Sequence, residues 1–112
     1  MAKKAAFSVA EMKALWKSRY VGKSRGRNDR IEKNRGGISY YLFRNEIAWL
    51  NPATNQLEIS DCNHMSITTK DRLNGLLVGT GYYITQKDWI WYLVSKRHGV
   101  QKWAGSLTVR GV

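Results

Sequence analysis

The segment ISYYLFRNEIAWLNPATNQLEIS, Ile38 to Ser60, decides the fold class. Ile38, Tyr40 and Leu42 alternate with Ser39, Tyr41 and Phe43, the period of two that belongs to a half-buried strand. Arg44-Asn45-Glu46 interrupts the run, and Asn45 suits a tight hairpin turn because Asn tolerates a left-handed backbone. A second run follows from Ile47 to Leu50, and NPATNQ then forms a turn with Pro52 and Asn55 as breakers. In LEIS, Leu57 and Ile59 face one way, Glu58 and Ser60 the other. The segment reads as a three-stranded antiparallel meander.

Upstream the pattern changes. VGKSRGRNDRIEKNRGG, residues 21–37, holds Lys23, Arg25, Arg27, Arg30, Lys33 and Arg35 against Asp29 and Glu32. Gly22, Gly26, Gly36 and Gly37 punctuate it, so it reads as a flexible basic loop or arm. Residues 1–20 read as an amphipathic helix. Ser8-x-x-Glu11 is a capping-box pattern, and Val9, Met12, Trp16 and Tyr20 recur at helical steps with Leu15 beside them. Lys13, Lys17 and Arg19 lie toward the other side.

Downstream, TTKDRLNGLLVG reads as a short helix with Thr68 as N-cap, Asp71 three residues on, and an apolar face of Leu73, Leu76 and Leu77. Gly75 works against it by about 1 kcal/mol, and Gly79 and Gly81 end it. GYYITQKDWIWYLVSK reads as a hairpin, with Tyr83–Thr85 and Trp89–Val94 as arms and Gln86-Lys87-Asp88 as the turn. KRHGVQ is a loop, and KWAGSLTV a last strand. The fold class is α+β: a mainly antiparallel sheet of five or six strands, an N-terminal helix and a short central helix, one domain over residues 1–112 with its core in 38–112.

A chain 43% apolar and 12% aromatic is not disordered. Its formal charge is +11, and residues 1–36 carry eleven Lys/Arg against three Asp/Glu, the remainder eight against five. Such a balance points to an anionic partner and excludes an acidic DNA mimic. Cys62 is the single cysteine, no apolar leader opens the chain, and no apolar run is long enough to span a membrane. These features read as a cytoplasmic protein with no membrane partner.

Asp61, Cys62 and His64 bring a thiol and an imidazole close, but a Cys–His nucleophile also needs a third group to orient the base. One Cys and two His, His64 and His98, fall short of a structural zinc set. GLLVGTGYY follows a helix and lacks the Gly-Lys-Ser/Thr ending of a phosphate loop. Glu46, Glu58, Asp61, Asp71 and Asp88 each fit a turn, a cap or an exposed strand face. No catalytic residue, metal or cofactor is therefore expected.

The combination of cations with aromatics is the main functional signal. Lys and Arg bind phosphates and release counterions, and Arg forks onto phosphate or guanine. The expected nucleic-acid-binding residues are Lys13, Lys17, Arg19, Lys23, Arg25, Arg27, Arg30, Lys33, Arg35, Lys70 and Arg72, the last two projecting from the first turn of the central helix. Tyr41 with Phe43, and Trp89 with Trp91, each share a strand face by parity and are candidates for base stacking or a protein interface. The alternative is an interaction protein that inhibits or redirects another enzyme, such as a nucleic-acid-processing or defence enzyme, its arm entering an acidic or nucleic-acid-binding cleft of that target with exposed Trp as anchors.

Ile38 to Leu77 resembles a pattern in small accessory proteins of tailed bacteriophages, in which an Ile-Ala step (Ile47-Ala48) leads through a polar turn to Thr-Thr-Lys-x-Arg-Leu-Asn (Thr68–Asn74). The resemblance leaves the basic first third outside. It implies a phage gene expressed in a bacterium, with DNA, RNA or a host protein as partner, and carries over no catalytic residue.

Overall fold

The alternation over Ile38–Leu42 is strand β3 (Gly37–Leu42) in the computed structural model, which describes residues 6–112. It pairs antiparallel with β4 (Asn45–Asn51), and β4 with β5 (Gln56–Ser60), the meander read from the sequence. The first turn differs. It is Phe43-Arg44, with Phe43 at φ +58°, and Asn45 already opens β4 opposite Leu42. The β3–β4 register shifts between Tyr40 and Tyr41, whose partners are Ala48 and Glu46, leaving Ile47 as an extra residue. The bulge lets Ile47 and Ala48 both bury and returns Glu46 to the face of Tyr41.

The basic segment is not an arm. Gly22–Arg25 forms β1 and Asp29–Asn34 forms β2, an antiparallel hairpin whose second strand pairs along its whole length with β3. The glycines taken as signs of flexibility are turn and packing residues. Gly26 has φ +70°, and Arg35-Gly36 close the β2–β3 turn at +53° and +76°. At Gly37 a Cβ would lie 2.7 Å from the Trp49 indole, so only glycine lets that ring cross the strand. Ile31, opposite Tyr40, is fully buried and anchors the hairpin.

Helix α1 (Val9–Lys17) starts where the capping box placed it. The Glu11 N–H donates to Ser8 Oγ at 3.1 Å, and the Ser8 N–H to Glu11 Oε1 at 3.2 Å. Met12 and Leu15 are buried, whereas Trp16 and Tyr20 are exposed. Residues 1–5 of the segment expected to be helical lie outside the described residues. Helix α2 (Ile67–Leu76) begins two residues earlier than expected. Its N-cap is Ser66, whose Oγ accepts from the Thr69 N–H at 3.1 Å, and Thr69 is buried. Leu73, Leu76 and Leu77 are all buried, as their spacing implied.

The later aromatic segment forms a second sheet of β6 (Tyr82–Lys87), β7 (Ile90–Ser95) and β8 (Gly99–Lys102). Its first turn is Asp88-Trp89, both at positive φ, not Gln86–Asp88. The expected loop over KRHGVQ shrinks to Lys96–His98, because Gly99, Val100 and Gln101 join β8. The last strand, β9 (Ser106–Arg110), returns to β5 and completes a sheet ordered β1-β2-β3-β4-β5-β9. The class is α+β, with antiparallel sheets of six and three strands. One apolar cluster joins Phe7, Met12, Ile31, Tyr40, Leu57, Leu73 and Trp91, and α2 touches both β4 and β6.

A charged knot crosses this core. The Asp29 side chain, on the buried face of β2, takes Arg72 of α2 in a two-pronged ion pair, Nε to Oδ2 at 2.7 Å and Nη2 to Oδ1 at 3.3 Å. The Tyr40 hydroxyl donates to Asp29 Oδ2 and accepts from the Ala6 N–H at 3.0 Å. Burial, and then the Asp29 carboxylate, push the Tyr40 phenol well above its ordinary range, so it keeps its proton and stays a donor. We predict that Asp29→Ala, which strands Arg72 in this setting, lowers unfolding free energy by about 3–5 kcal/mol. Urea denaturation measures it, and a loss under about 1 kcal/mol, the level of a surface pair, would contradict the role assigned to the knot.

Candidate functional site

Much of the positive charge expected to bind a ligand is engaged by the fold. Lys13 Nζ donates to the Val112 carbonyl at 2.5 Å. Arg25 Nη1 donates to the Ala6 carbonyl at 2.5 Å, its Nη2 meets Glu11 Oε2 at 2.8 Å, and its guanidinium lies 4.5 Å from the Phe7 ring centre. Lys33 Nζ donates to the Ser18 carbonyl at 2.6 Å, fastening β2 to the end of α1. Arg35 pairs with Glu46 at 2.5 Å beside the Trp49 ring. Lys70 Nζ reaches Gln86 Oε1 at 3.3 Å. Arg72 does not project from its helix; it turns inward onto Asp29 with its side chain 15% exposed.

The reason lies in the register of the hairpin. Arg25 stands opposite buried Asp29, on the side of β1 that lets its guanidinium reach Ala6, Phe7 and Glu11, whereas Lys23, opposite Ile31, has the same parity but stays exposed. The Arg25 hydrogen bond holds the Glu11 carboxyl below the usual carboxylate range.

A second set of cations stays at the surface. Lys17, Lys23 and Arg27 are exposed, and Arg19 lies 5.4 Å from the ring centre of its neighbour Tyr20. Two turns meet at one end of the six-stranded sheet: the Phe43 N–H donates to the Asn28 carbonyl at 2.7 Å, joining the β1–β2 turn to the β3–β4 turn. This brings Arg27, Phe43 and Arg44 to one rim. Just inside it Arg30 stands opposite Tyr41, its guanidinium 4.2 Å from the ring centre and its Nε 3.2 Å from Glu32 Oε2.

The aromatic pairs expected from parity do not form. Phe43 sits in the turn at positive φ, half-exposed, and so does not continue Tyr41's face. Trp91 is 3% exposed in the core, whereas Trp89 occupies the β6–β7 turn and is 89% exposed. Shifting each turn by one or two residues undoes the parity on which both pairs depended. Arg44 was read only as a turn residue, and its position between two aromatic-flanked strands was the available signal for it.

Asp61, Cys62 and His64 act as connectors. Buried Asp61 accepts from Trp103 Nε1 at 2.8 Å and from the Asn63 N–H at 2.8 Å, and its own carbonyl accepts from the His64 N–H. The Cys62 thiol donates to the Glu46 carbonyl at 2.9 Å. Among the described residues no group of three or more His, Cys, Asp or Glu could hold a metal ion.

Beyond the meander, the residues that carried the phage resemblance assemble into a joint. Thr69 lies in the α2 cap, Lys70 and Arg72 reach Gln86 and Asp29, and Leu73 fills the core. Asn74 clasps β6: its Nδ2 donates to the Ile84 carbonyl at 2.8 Å and its Oδ1 accepts from the Ile84 N–H at 2.6 Å.

The resemblance to tailed-phage proteins is borne out by comparison with known families. Over residues 10–110 the chain matches the family described as Kyanoviridae Gp96 protein, and it belongs to that family. The match takes in the basic first third that the motif-level resemblance had left out. No curated protein and no solved structure matches the chain. No helix among the described residues is long and apolar enough to cross a membrane.

Burial, foremost, raises the Cys62 thiol above its ordinary pKa. Its thiolate fraction near neutrality is therefore smaller than a free cysteine's. Alkylation by iodoacetamide is expected to be slower than for free cysteine at pH 8 and to gain rate at higher pH than a free thiol does. Equal or faster reaction at pH 8 would show an activated cysteine instead.

Proposed function

We propose that the chain binds nucleic acid without catalysis, through the rim of the six-stranded sheet at Arg27, Arg30 and Arg44, with Tyr41 and Phe43 as stacking or packing surface. The observation that carries this reading is the hydrogen bond from the Phe43 N–H to the Asn28 carbonyl, which fixes two arginine-bearing turns side by side on a rigid sheet. Arginines held at element ends can fork onto successive phosphates without ordering a loose arm. Glu32, Glu46 and Glu58 lie on the outer face behind the rim, so phosphate contact is confined to the edge. Lys17, Arg19 and Lys23 extend the basic surface along the side of α1 and β1.

Trp89 favours a second reading. An indole 89% exposed at a hairpin tip is the type of anchor that dominates protein interfaces, and it would suit a host protein as partner.

An electrophoretic shift with duplex and single-stranded probes separates these. The triple variant Arg27→Gln, Arg30→Gln, Arg44→Gln is expected to bind at least tenfold more weakly and to flatten the salt dependence by up to about three units of slope, with an unchanged circular dichroism spectrum. Unchanged affinity in that variant contradicts the rim. Absence of any shift with the native chain, together with a nuclease-resistant complex lost on Trp89→Ala, supports the protein partner.

A further inference from the structure

We infer that a second site, independent of the rim, takes a phosphomonoester attached to a planar base. It is the cleft of about 600 Å³ between β9 and the β7–β8 turn, lined by Tyr82, Lys96, Arg97, His98, Thr108 and Arg110 among others. No Asp or Glu lines it. Among the described residues the side chains of Lys96, Arg97 and Arg110 make no ion pair or hydrogen bond, unlike Arg25, Arg35 and Arg72. Three cations line an acid-free concavity and serve no contact of the fold. A dianion suits such a lining, and guanidinium forks match the oxygens of a terminal phosphate.

The cleft is held open by defined local structure. Ser95 pairs with Gly99 across the β7–β8 hairpin, and buried Ser95 Oγ accepts from the His98 N–H at 3.0 Å, fixing the Lys96-Arg97-His98 loop. Gly99 at φ +71° lets the loop close. Arg110 is placed by its register opposite Gln56, and the next residue ties down through the Gly111 N–H to the Asn55 carbonyl at 2.9 Å.

The size and one wall specify more than phosphate. The volume falls within the range of small-molecule sites, far above what an inorganic anion fills. The Tyr82 and His98 rings lie nearly parallel, 15° apart with centres 6.5 Å distant, and present flat surface to a planar group. A free mononucleotide and the phosphorylated end of a strand both offer this chemistry.

The test is nuclear magnetic resonance on the full ¹⁵N-labelled chain, titrated separately with AMP, inorganic phosphate, and one short oligonucleotide in 5′-phosphorylated and 5′-hydroxyl forms. Amides of residues 96–99 and 108–111 should shift with AMP or with the 5′-phosphorylated oligonucleotide. The variant Arg97→Gln, Arg110→Gln should weaken that response at least tenfold while its remaining spectrum stays native. Response to AMP alone assigns a free nucleotide, and response to the 5′-phosphorylated but not the 5′-hydroxyl strand assigns a strand end. Equal response to both oligonucleotide forms, shifts with inorganic phosphate but not AMP, no shift at millimolar AMP and oligonucleotide, or an undiminished response in the double variant would overturn the site. Failure here leaves the rim untouched, because the two share no residue.

Discussion

A single buried carboxylate organises the molecule. Asp29 lies on the core face of β2, where an isolated charge is costly. It is stable there because Arg72 arrives from α2 and the Tyr40 hydroxyl from β3, while Tyr40 in turn receives the Ala6 N–H. Helix α2 and strand β3 thus meet Asp29 directly, and the backbone at Ala6 joins through Tyr40. The hairpin that carries Asp29 is also held by the full β2–β3 ladder, by buried Ile31, and by Lys33 and Arg25 on backbone carbonyls near α1. The ion pair adds a tie to α2, and together these contacts make the most basic stretch of the chain sheet, not tether.

How far the fold could be read follows from the range of the forces involved. Local signals were reliable: the Ser8/Glu11 box, the alternation of Leu57 and Ile59, and the leucines of α2 are all where sequence spacing put them. The β1–β2 hairpin was not legible, because part of what holds it, Asp29 meeting a helix residue 43 positions away and Lys33 meeting Ser18, lies outside any local pattern. Turns slipped where residues without a strong left-handed preference occupy it: Phe43 and Trp89 both have positive φ. Such strain is set by the pairing of the flanking strands, which no dipeptide rule records. The slips were short, yet in a strand a small slip reassigns faces, which is why the aromatic pairs dissolved.

For the candidate site the lesson concerns the division of labour among cations. Sequence counts them alike, but a strand edge next to a helix converts Arg25 and Lys33 into donors for orphan carbonyls of neighbouring backbone. Arg27 and Arg44 escape this fate by sitting in turns, with no backbone behind them to satisfy. Charge at turns is thus part of what the fold leaves unengaged. Lys96, Arg97 and Arg110 are also unengaged, the first two in a turn and the last at the end of an edge strand.

Asn74 has a further consequence. Its amide fills both the donor and the acceptor of Ile84, the two groups through which a neighbouring chain would zip onto the side of β6. An unprotected margin of aromatic, β-branched sequence invites stacking into fibres when a protein is made in large amounts. One carboxamide, two residues along α2 from Arg72 of the buried ion pair, covers that margin at Ile84.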